Sequence, residues 1–311
     1  MILVLSGGTG GAKFVQGLQQ ILPAEELTII VNTGDDLICW GLHVSPDLDS
    51  ITYALAGMLS SKRGWGIEGD TPNCLEQMKR LGAPAWFQLG DRDLATHLRR
   101  TQLLNQGGTL TQATAEIAAS LGVNCRILPM SDYRVETHVT TSIGKLSFQE
   151  YFVRERYQVQ AYGVEFVGAD TAVPGPGVLS AINSADAIFI APSNPITSIG
   201  PILAIREIRD ALERTAAPVF AISPIVGGAA VSGPAGALMQ AHGLPVSFEG
   251  IARYYGDFLD VLIIDKQDAS GTQTSGGVEL VSANTIMNSL EDRKYLAKFA
   301  LEAVSARTLK A

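Results

Sequence analysis

The chain has 311 residues, of which 46% are hydrophobic and 17% charged, and carries a net charge of −8. These proportions exclude a disordered chain, and the negative balance argues against a general nucleic-acid or anionic-membrane surface. No apolar run reaches bilayer-spanning length and Met1 leads straight into a strand without a basic segment, so neither a membrane helix nor a signal peptide is expected. The three cysteines (Cys39, Cys74, Cys125) share no CxxC spacing and read as free thiols of a reducing cytoplasm.

In chain order, the first feature is also the most informative. Met1-Ile2-Leu3-Val4-Leu5 is an apolar run of strand length that stops at Ser6-Gly7-Gly8-Thr9-Gly10-Gly11-Ala12-Lys13, after which Phe14, Val15, Leu18, Ile21 and Leu22 recur at helical spacing. A strand, a glycine turn and a helix N-terminus in succession form a cradle for phosphate. Glycine lets the backbone approach a bulky anion, and the first helical turn offers unpaired N–H groups. The candidate phosphate residues are Gly7, Gly8, Thr9, Gly10, Gly11 and Lys13. The pattern is neither a P-loop, since Ala12 stands before Lys13 and Phe14 follows it, nor a dinucleotide fingerprint, since Lys13 takes the place of the third glycine.

Further buried strands are expected at 27–31, 187–191, 218–222 and 261–264, with helices at 202–212, 235–242 and 290–304. Short apolar strands separated by helices predict an α/β fold, a doubly wound, mostly parallel Rossmann-like sheet with helices on both faces. Residues from about 50 to 165 differ: helices at 75–81, 94–104 and 113–121 precede β-like segments over 135–153. They are expected to form an inserted helical and β subdomain at the substrate site. The nucleotide-binding core, about 1–50 and 165–311, completes a single domain, because no Pro/Gly/Ser linker intervenes.

The acids suggest the chemistry. Asp35 and Asp36 follow the second strand, and Asp47 and Asp49 lie in Ser45-Pro46-Asp47-Leu48-Asp49-Ser50, read as a turn into a helix from Ile51. Four carboxylates beside a phosphate cradle repel one another unless a cation intervenes, and Mg2+ shared with substrate phosphate fits that need. Helix capping by Asp47 or Asp49, or a ribose contact from Asp35 or Asp36, are the alternatives. In Gly90-Asp91-Arg92-Asp93-Leu94-Ala95-Thr96-His97, Asp91 or Asp93 can cap the next helix and His97 pairs one turn after Asp93. Arg92 offers a planar fork for phosphate or carboxylate. Ser193, Asn194, Thr197 and Ser198, and then Ser223, supply small donors in loops at the same sheet edge.

The segments LSGGTGGAKF, VNTGDD, SPDLD, GWGIEGDT, LGDRDLATH, ILPMSD, FQEYFV, APSNPITSIGPIL, ISPIVGG, VSGPAGALM and YYGDFLD, in this order up to residue 260, resemble the 2-phospho-L-lactate transferase family. The resemblance implies a Mg2+-assisted, cytoplasmic, homodimeric enzyme of coenzyme F(420) biosynthesis. It would move a phospholactyl or phosphoenolpyruvyl group from a guanosine diphosphate-linked donor to the ribityl hydroxyl of the deazaflavin Fo, releasing GMP. It implies deazaflavin contacts at Asp49 and Arg92, which are also the catalytic candidates, with Asp91 beside them. Metal ligands would fall at Asp36 and Asp49, and guanosine and diphosphate contacts in the glycine turn, at Ser193, Asn194 and Ser198, and in the Ser223 loop. Ser45 departs from the cysteine common there, a change of small for small. Residues from 266 onward carry no family signal. The competing reading is a nucleotide-sugar-binding regulator of the same fold without transferase activity. A dinucleotide-dependent oxidoreductase is disfavoured by the missing glycine.

Overall fold

The computed structural model describes residues 1–269, 271 and 274–308. Along the chain, β1 (Ile2–Ser6), α1 (Gly8–Gln19) and β2 (Leu27–Val31) lead into a hairpin of β3 (Leu37–Cys39) and β4 (Leu42–Val44). Helices α2 (Pro46–Leu55), α3 (Asn73–Arg80), α4 (Asp91–Asn105) and α5 (Leu110–Ser120) come next. Strand β5 (Arg126–Pro129) is followed by β6 (Glu136–Thr141), β7 (Gly144–Ser147) and β8 (Ala161–Val167). The chain then runs through α6 (Val178–Asn183), β9 (Ala187–Ile190), α7 (Gly200–Ala204), α8 (Arg206–Arg214) and β10 (Val219–Ile222). A two-residue-strand hairpin, β11 (Ile225–Val226) and β12 (Ala229–Ala230), precedes α9 (Ala235–Ala241) and α10 (Phe248–Tyr255). It ends with β13 (Val261–Asp265), β14 (Thr274–Ser275), β15 (Val278–Ala283) and α11 (Leu290–Thr308).

Eight strands form the main sheet in the order β14-β15-β13-β10-β9-β1-β2-β5, parallel throughout except for β14. Alternation along each strand sends side chains to two separate cores. Leu3, Leu5, Ile30, Ile188 and Ile190 face one layer, and Val4, Ile29, Val31, Phe189 and Phe220 face the other. The sheet is covered on both faces, which is why its strands read as continuous apolar runs. The expected doubly wound α/β architecture is thus present. From β1 the chain winds outward through β2 to β5, then returns to β9 and winds the opposite way, so the strand order reverses between β1 and β9. Open α/β sheets bind ligands at such a crevice, beyond the carboxyl ends of the strands.

Several local expectations need correction. Strand β5 pairs with β2 in parallel, so the stretch of about 50 to 165 is not wholly an insertion. What stands off the main sheet is the antiparallel set β7-β6-β8, together with the helices before it. Residues 150–154 form a turn of π-helix rather than a strand. The helix expected at 202–212 is two helices, broken where Ile205 takes an extended conformation, φ −74° and ψ 105°. Helix α2 starts at Pro46 rather than Ile51, because proline is suited to a first helical position. Asp47 and Asp49 therefore lie inside its first turn.

Candidate functional site

The glycine turn sits at the β1–β9 reversal. Ser193, just past β9, donates its hydroxyl to the Gly7 carbonyl at 2.6 Å and accepts the Gly7 N–H at 3.3 Å. Close packing explains the glycines as much as ligand access does. A β-carbon on Gly10 would lie 2.1 Å from the Pro192 carbonyl oxygen, and one on Gly11 2.1 Å from the Ser6 hydroxyl. A β-carbon on Gly7 would meet Asp47 Oδ2 at 2.5 Å and the Ser198 β-carbon at 2.8 Å. Asn194 caps the following turn, accepting the N–H groups of Ile196 and Thr197, so its carboxamide oxygen is occupied. Ser223 likewise closes its own turn, bonding to Ile225 through both N–H and carbonyl. Of the loop donors, Ser198 stays beside Gly7 and Gly8, while Ser193 and Asn194 shape the backbone around it.

Asp47 reaches across from α2 to the cradle. Its Oδ1 accepts the Gly8 N–H at 2.7 Å and its Oδ2 accepts Asn32 Nδ2 at 2.9 Å. A carboxylate thus sits on a backbone donor at the positive end of α1. Burial nevertheless pushes its pKa up to about 6, with the hydrogen bonds from Asn32 and Gly8 opposing the rise. Asp35 and Asp36 lie close by. Burial and then the Asp47 charge hold the Asp35 carboxyl well above its ordinary range, and burial raises Asp36 against the pull of His43 and Ser45. Among the described residues, Oδ1 of both has no hydrogen-bond partner and is buried. Asp36 Oδ2 meets His43 Nε2 at 2.9 Å and accepts the Ser45 hydroxyl at 2.7 Å. The antiparallel subdomain fixes this turn: Thr137 N–H donates to the Gly34 carbonyl, and Gln149 Nε2 to that of Asp35. Above Asp36 and His43 opens a cleft of about 420 Å³, lined also by Leu37, Leu110, Tyr133 and Val135.

Asp49, two residues beyond Asp47, faces a different partner. Arg100, 2% exposed, binds it with two guanidinium nitrogens: Nη2 donates to Oδ1 and Nη1 to Oδ2, the latter at 3.2 Å. His97, equally buried, stands between carboxylates, with Nδ1 3.5 Å from Asp49 Oδ2 and Nε2 3.4 Å from Asp93 Oδ1. Tyr53 donates its hydroxyl to Asp93 Oδ1 at 2.7 Å. Burial of Asp93 works against its charge, but His97, Tyr53 and Arg100 prevail and its pKa is lowered. Arg100 is a site residue that the sequence motifs do not mark. Its signal is a polar stripe on α4, Asp93, His97 and Arg100 at i, i+4 and i+7, facing Asp49 and Tyr53 at i and i+4 on α2. Asp49, Asp93 and His97 also line a small pocket walled by Trp65 and Phe87. Gly64, the neighbour of Trp65, packs near Thr9 at the start of α1, which sets this pocket beside the cradle.

The GDRD turn divides its acids between two helices. Asp91 accepts from the Cys74 N–H, the Thr71 hydroxyl and Asn73 Nδ2 at the start of α3. Asp70 reciprocates on α4, accepting the N–H groups of Arg92 and Asp93. The expectation that Asp91 or Asp93 caps α4 is therefore wrong, since Asp70 does so. Arg92 is exposed at the helix start with one guanidinium bond, Nη1 to the Glu68 carbonyl at 3.2 Å. Lys13 is half-buried on α1; burial and the neighbouring Arg293 lower its pKa. Among the described residues no carboxylate is paired with it. The three cysteines are free, and no helix of the described residues is long and apolar enough to cross a membrane.

The chain is an α/β protein with a doubly wound sheet, and a helix N-terminus and buried carboxylates lie at the reversal of its strand order, where open sheets of this kind bind ligands. The model of the 2-phospho-L-lactate transferase CofD family matches residues 2–308, and the chain belongs to that family of transferases. It is 43% identical over 304 residues to the 2-phospho-L-lactate transferase of Methanosarcina mazei, covering 97% of this chain and 100% of that one. It is 42% identical over 309 residues to the phosphoenolpyruvate transferase of Streptomyces griseus, covering 97% of each. Among solved structures, a UPF0052-family protein of Bacillus halodurans superposes with a TM-score of 0.65 at 18% identity, covering 96% of this chain and 98% of that one, a likeness of fold.

Proposed function

We propose that the protein transfers a phospholactyl or phosphoenolpyruvyl group from a guanosine diphosphate-linked donor to the ribityl hydroxyl of Fo, releasing GMP, in the formation of coenzyme F(420). The observation that carries this reading is the first turn of α2. Asp47 touches the N-terminus of α1 while Asp49 faces the pocket of Trp65 and Phe87, so one helical turn joins a phosphate cradle to a second site. A transferase with two substrates needs that adjacency, whereas a nucleotide-sugar-binding regulator needs only the first part.

In this reading the donor diphosphate lies over Gly8, Thr9 and Gly10, with Ser198 and Lys13 beside it. The small pocket, about 60 Å³, has room for the hydroxyl-bearing end of the acceptor, while the flat ring lies outward along Trp65 toward Arg92. The hydroxyl oxygen attacks the phosphorus bearing the lactyl or enolpyruvyl group, and the bond to the GMP phosphate breaks in line. Little covalent chemistry is required of the protein, so positioning and charge neutralisation dominate. Asp49 accepts the hydrogen bond of the attacking hydroxyl and takes its proton as the new bond forms.

Magnesium fits the residues unevenly. Among the described residues, Asp35 and Asp36 each keep a buried Oδ1 atom without a hydrogen-bond partner, and carboxylate oxygens are what magnesium prefers. The group Asp49, Asp93 and His97 has atoms within 4.8 Å of one another, but it includes an imidazole, and the permanent cation of Arg100 lying on Asp49 repels a second positive ion. We therefore assign the metal to Asp35 and Asp36, keeping Asp36 and releasing Asp49 from that role. When bound there, the ion would neutralise diphosphate charge. Purified protein given Fo, Mg2+ and a donor should yield GMP and the phosphodiester. Tight nucleotide-sugar binding without transfer would favour the regulator.

A further inference from the structure

We infer that Arg100 is a positioning residue of the transfer reaction, fixing the Asp49 carboxylate in the single orientation that meets the acceptor hydroxyl. The inference rests on the reading of Asp49 given above and adds a residue to it. Arg100 is among the largest fully buried side chains of the protein, yet it is a permanent cation. Burying such a charge costs several kcal/mol before pairing, and replacing a buried ion pair by apolar groups is often neutral or stabilising. Packing of α4 on α2 does not explain an arginine here.

The geometry does. Two of its nitrogens lie on the two oxygens of Asp49, a fork that sets both the position and the plane of the carboxylate. Nη1 also meets the His43 carbonyl at 3.4 Å and His97 Nδ1 at 3.3 Å, so the guanidinium is itself held from the β3–β4 hairpin and from its own helix. Its charge acts on Asp36 and Asp93 as well. A lysine could match the charge but offers one point contact in place of the fork.

The test is a comparison of wild type, Arg100→Lys, Asp49→Asn and the double variant Asp49→Asn/Arg100→Met, in steady-state transfer from the guanosine-linked donor to Fo. Arg100→Lys should lower kcat roughly 100-fold, the scale of a misplaced catalytic contact, with KM for the donor and the Kd for GDP within about twofold of wild type. Arg100→Met on the Asp49→Asn background should add less than about threefold, because a residue acting through Asp49 has nothing left to act on. Wild-type kcat in Arg100→Lys, or a further large loss in the double variant, would overturn the inference. A double variant that turns over keeps the test decisive where Arg100→Lys fails to fold. Absence of turnover in wild type would instead remove the transferase reading on which the inference stands.

Discussion

The backbone N–H of Gly8, at the head of α1, is bound by the Asp47 carboxylate at 2.7 Å. The donor that a phosphate would use is therefore taken by an acid whose pKa burial raises to about 6. Because the folded value lies above the unfolded one, near 3.8, the folded state holds the proton longer. The Asp47 contribution to stability falls as pH rises from about 4 to 6 and stays lost above, a penalty of about 3 kcal/mol at about 1.4 kcal/mol per unit. In Asp47→Asn this pH-linked loss should vanish. The difference in melting temperature, variant minus wild type, should rise between pH 4 and pH 7; a constant difference would show that Asp47 does not titrate as described.

Gly10 and Gly11 should respond unequally to alanine. At Gly10 the new methyl meets a backbone carbonyl at 2.1 Å, whereas at Gly11 it meets the hydroxyls of Ser6 and Ser193, which can rotate. Gly10→Ala should cost about 1–3 kcal/mol, typical of overpacking, and more than Gly11→Ala. Urea unfolding of the two variants measures this. Equal effects would mean that the loop after β9 yields as readily as a side chain.

Asp91 and Arg92 are neighbours with different tasks. Asp91 ties down the start of α3, so Asp91→Ala should lower the melting temperature while leaving kcat for Fo near wild type. Arg92→Ala should raise KM for Fo severalfold and leave the melting temperature unchanged, since its guanidinium makes one hydrogen bond on the surface. Thermal unfolding with acceptor titrations separates the two, and the reverse pattern would reassign them.

Asp49→Asn should keep the fold and lose at least ~100-fold in kcat, the low end of what a group handling the proton contributes. Circular dichroism and single-turnover rates check the two halves. Near wild-type turnover would take Asp49 out of the reaction.

The parts of this fold that were legible are those set by local periodicity. β1, β2, β9, β10 and β13 are buried on both faces and read as apolar runs. β5 is not legible, because Arg126 and Pro129 bound an apolar stretch of only two residues and pairing with β2 makes it a strand. The break within 202–212 is hidden, since apolar spacing continues across Ile205 while the helical backbone does not. In the site, the glycine turn and the acids of the GDD and PDLD turns were visible as types, but their partners were not. Asp49 meets Arg100 51 residues away, and Asp70 caps α4 across 22. Such contacts are decided by how α2, α3 and α4 pack, which no short window of sequence contains.

The most direct test of the account is a single incubation of purified protein with Fo, Mg2+ and each guanosine diphosphate-linked donor, phospholactyl and phosphoenolpyruvyl, followed by chromatography and mass. The account predicts equimolar GMP and a phosphodiester of Fo that require both Fo and Mg2+, with the faster donor naming the substrate. No product from either donor, in protein that still binds GDP or a nucleotide sugar, would contradict it.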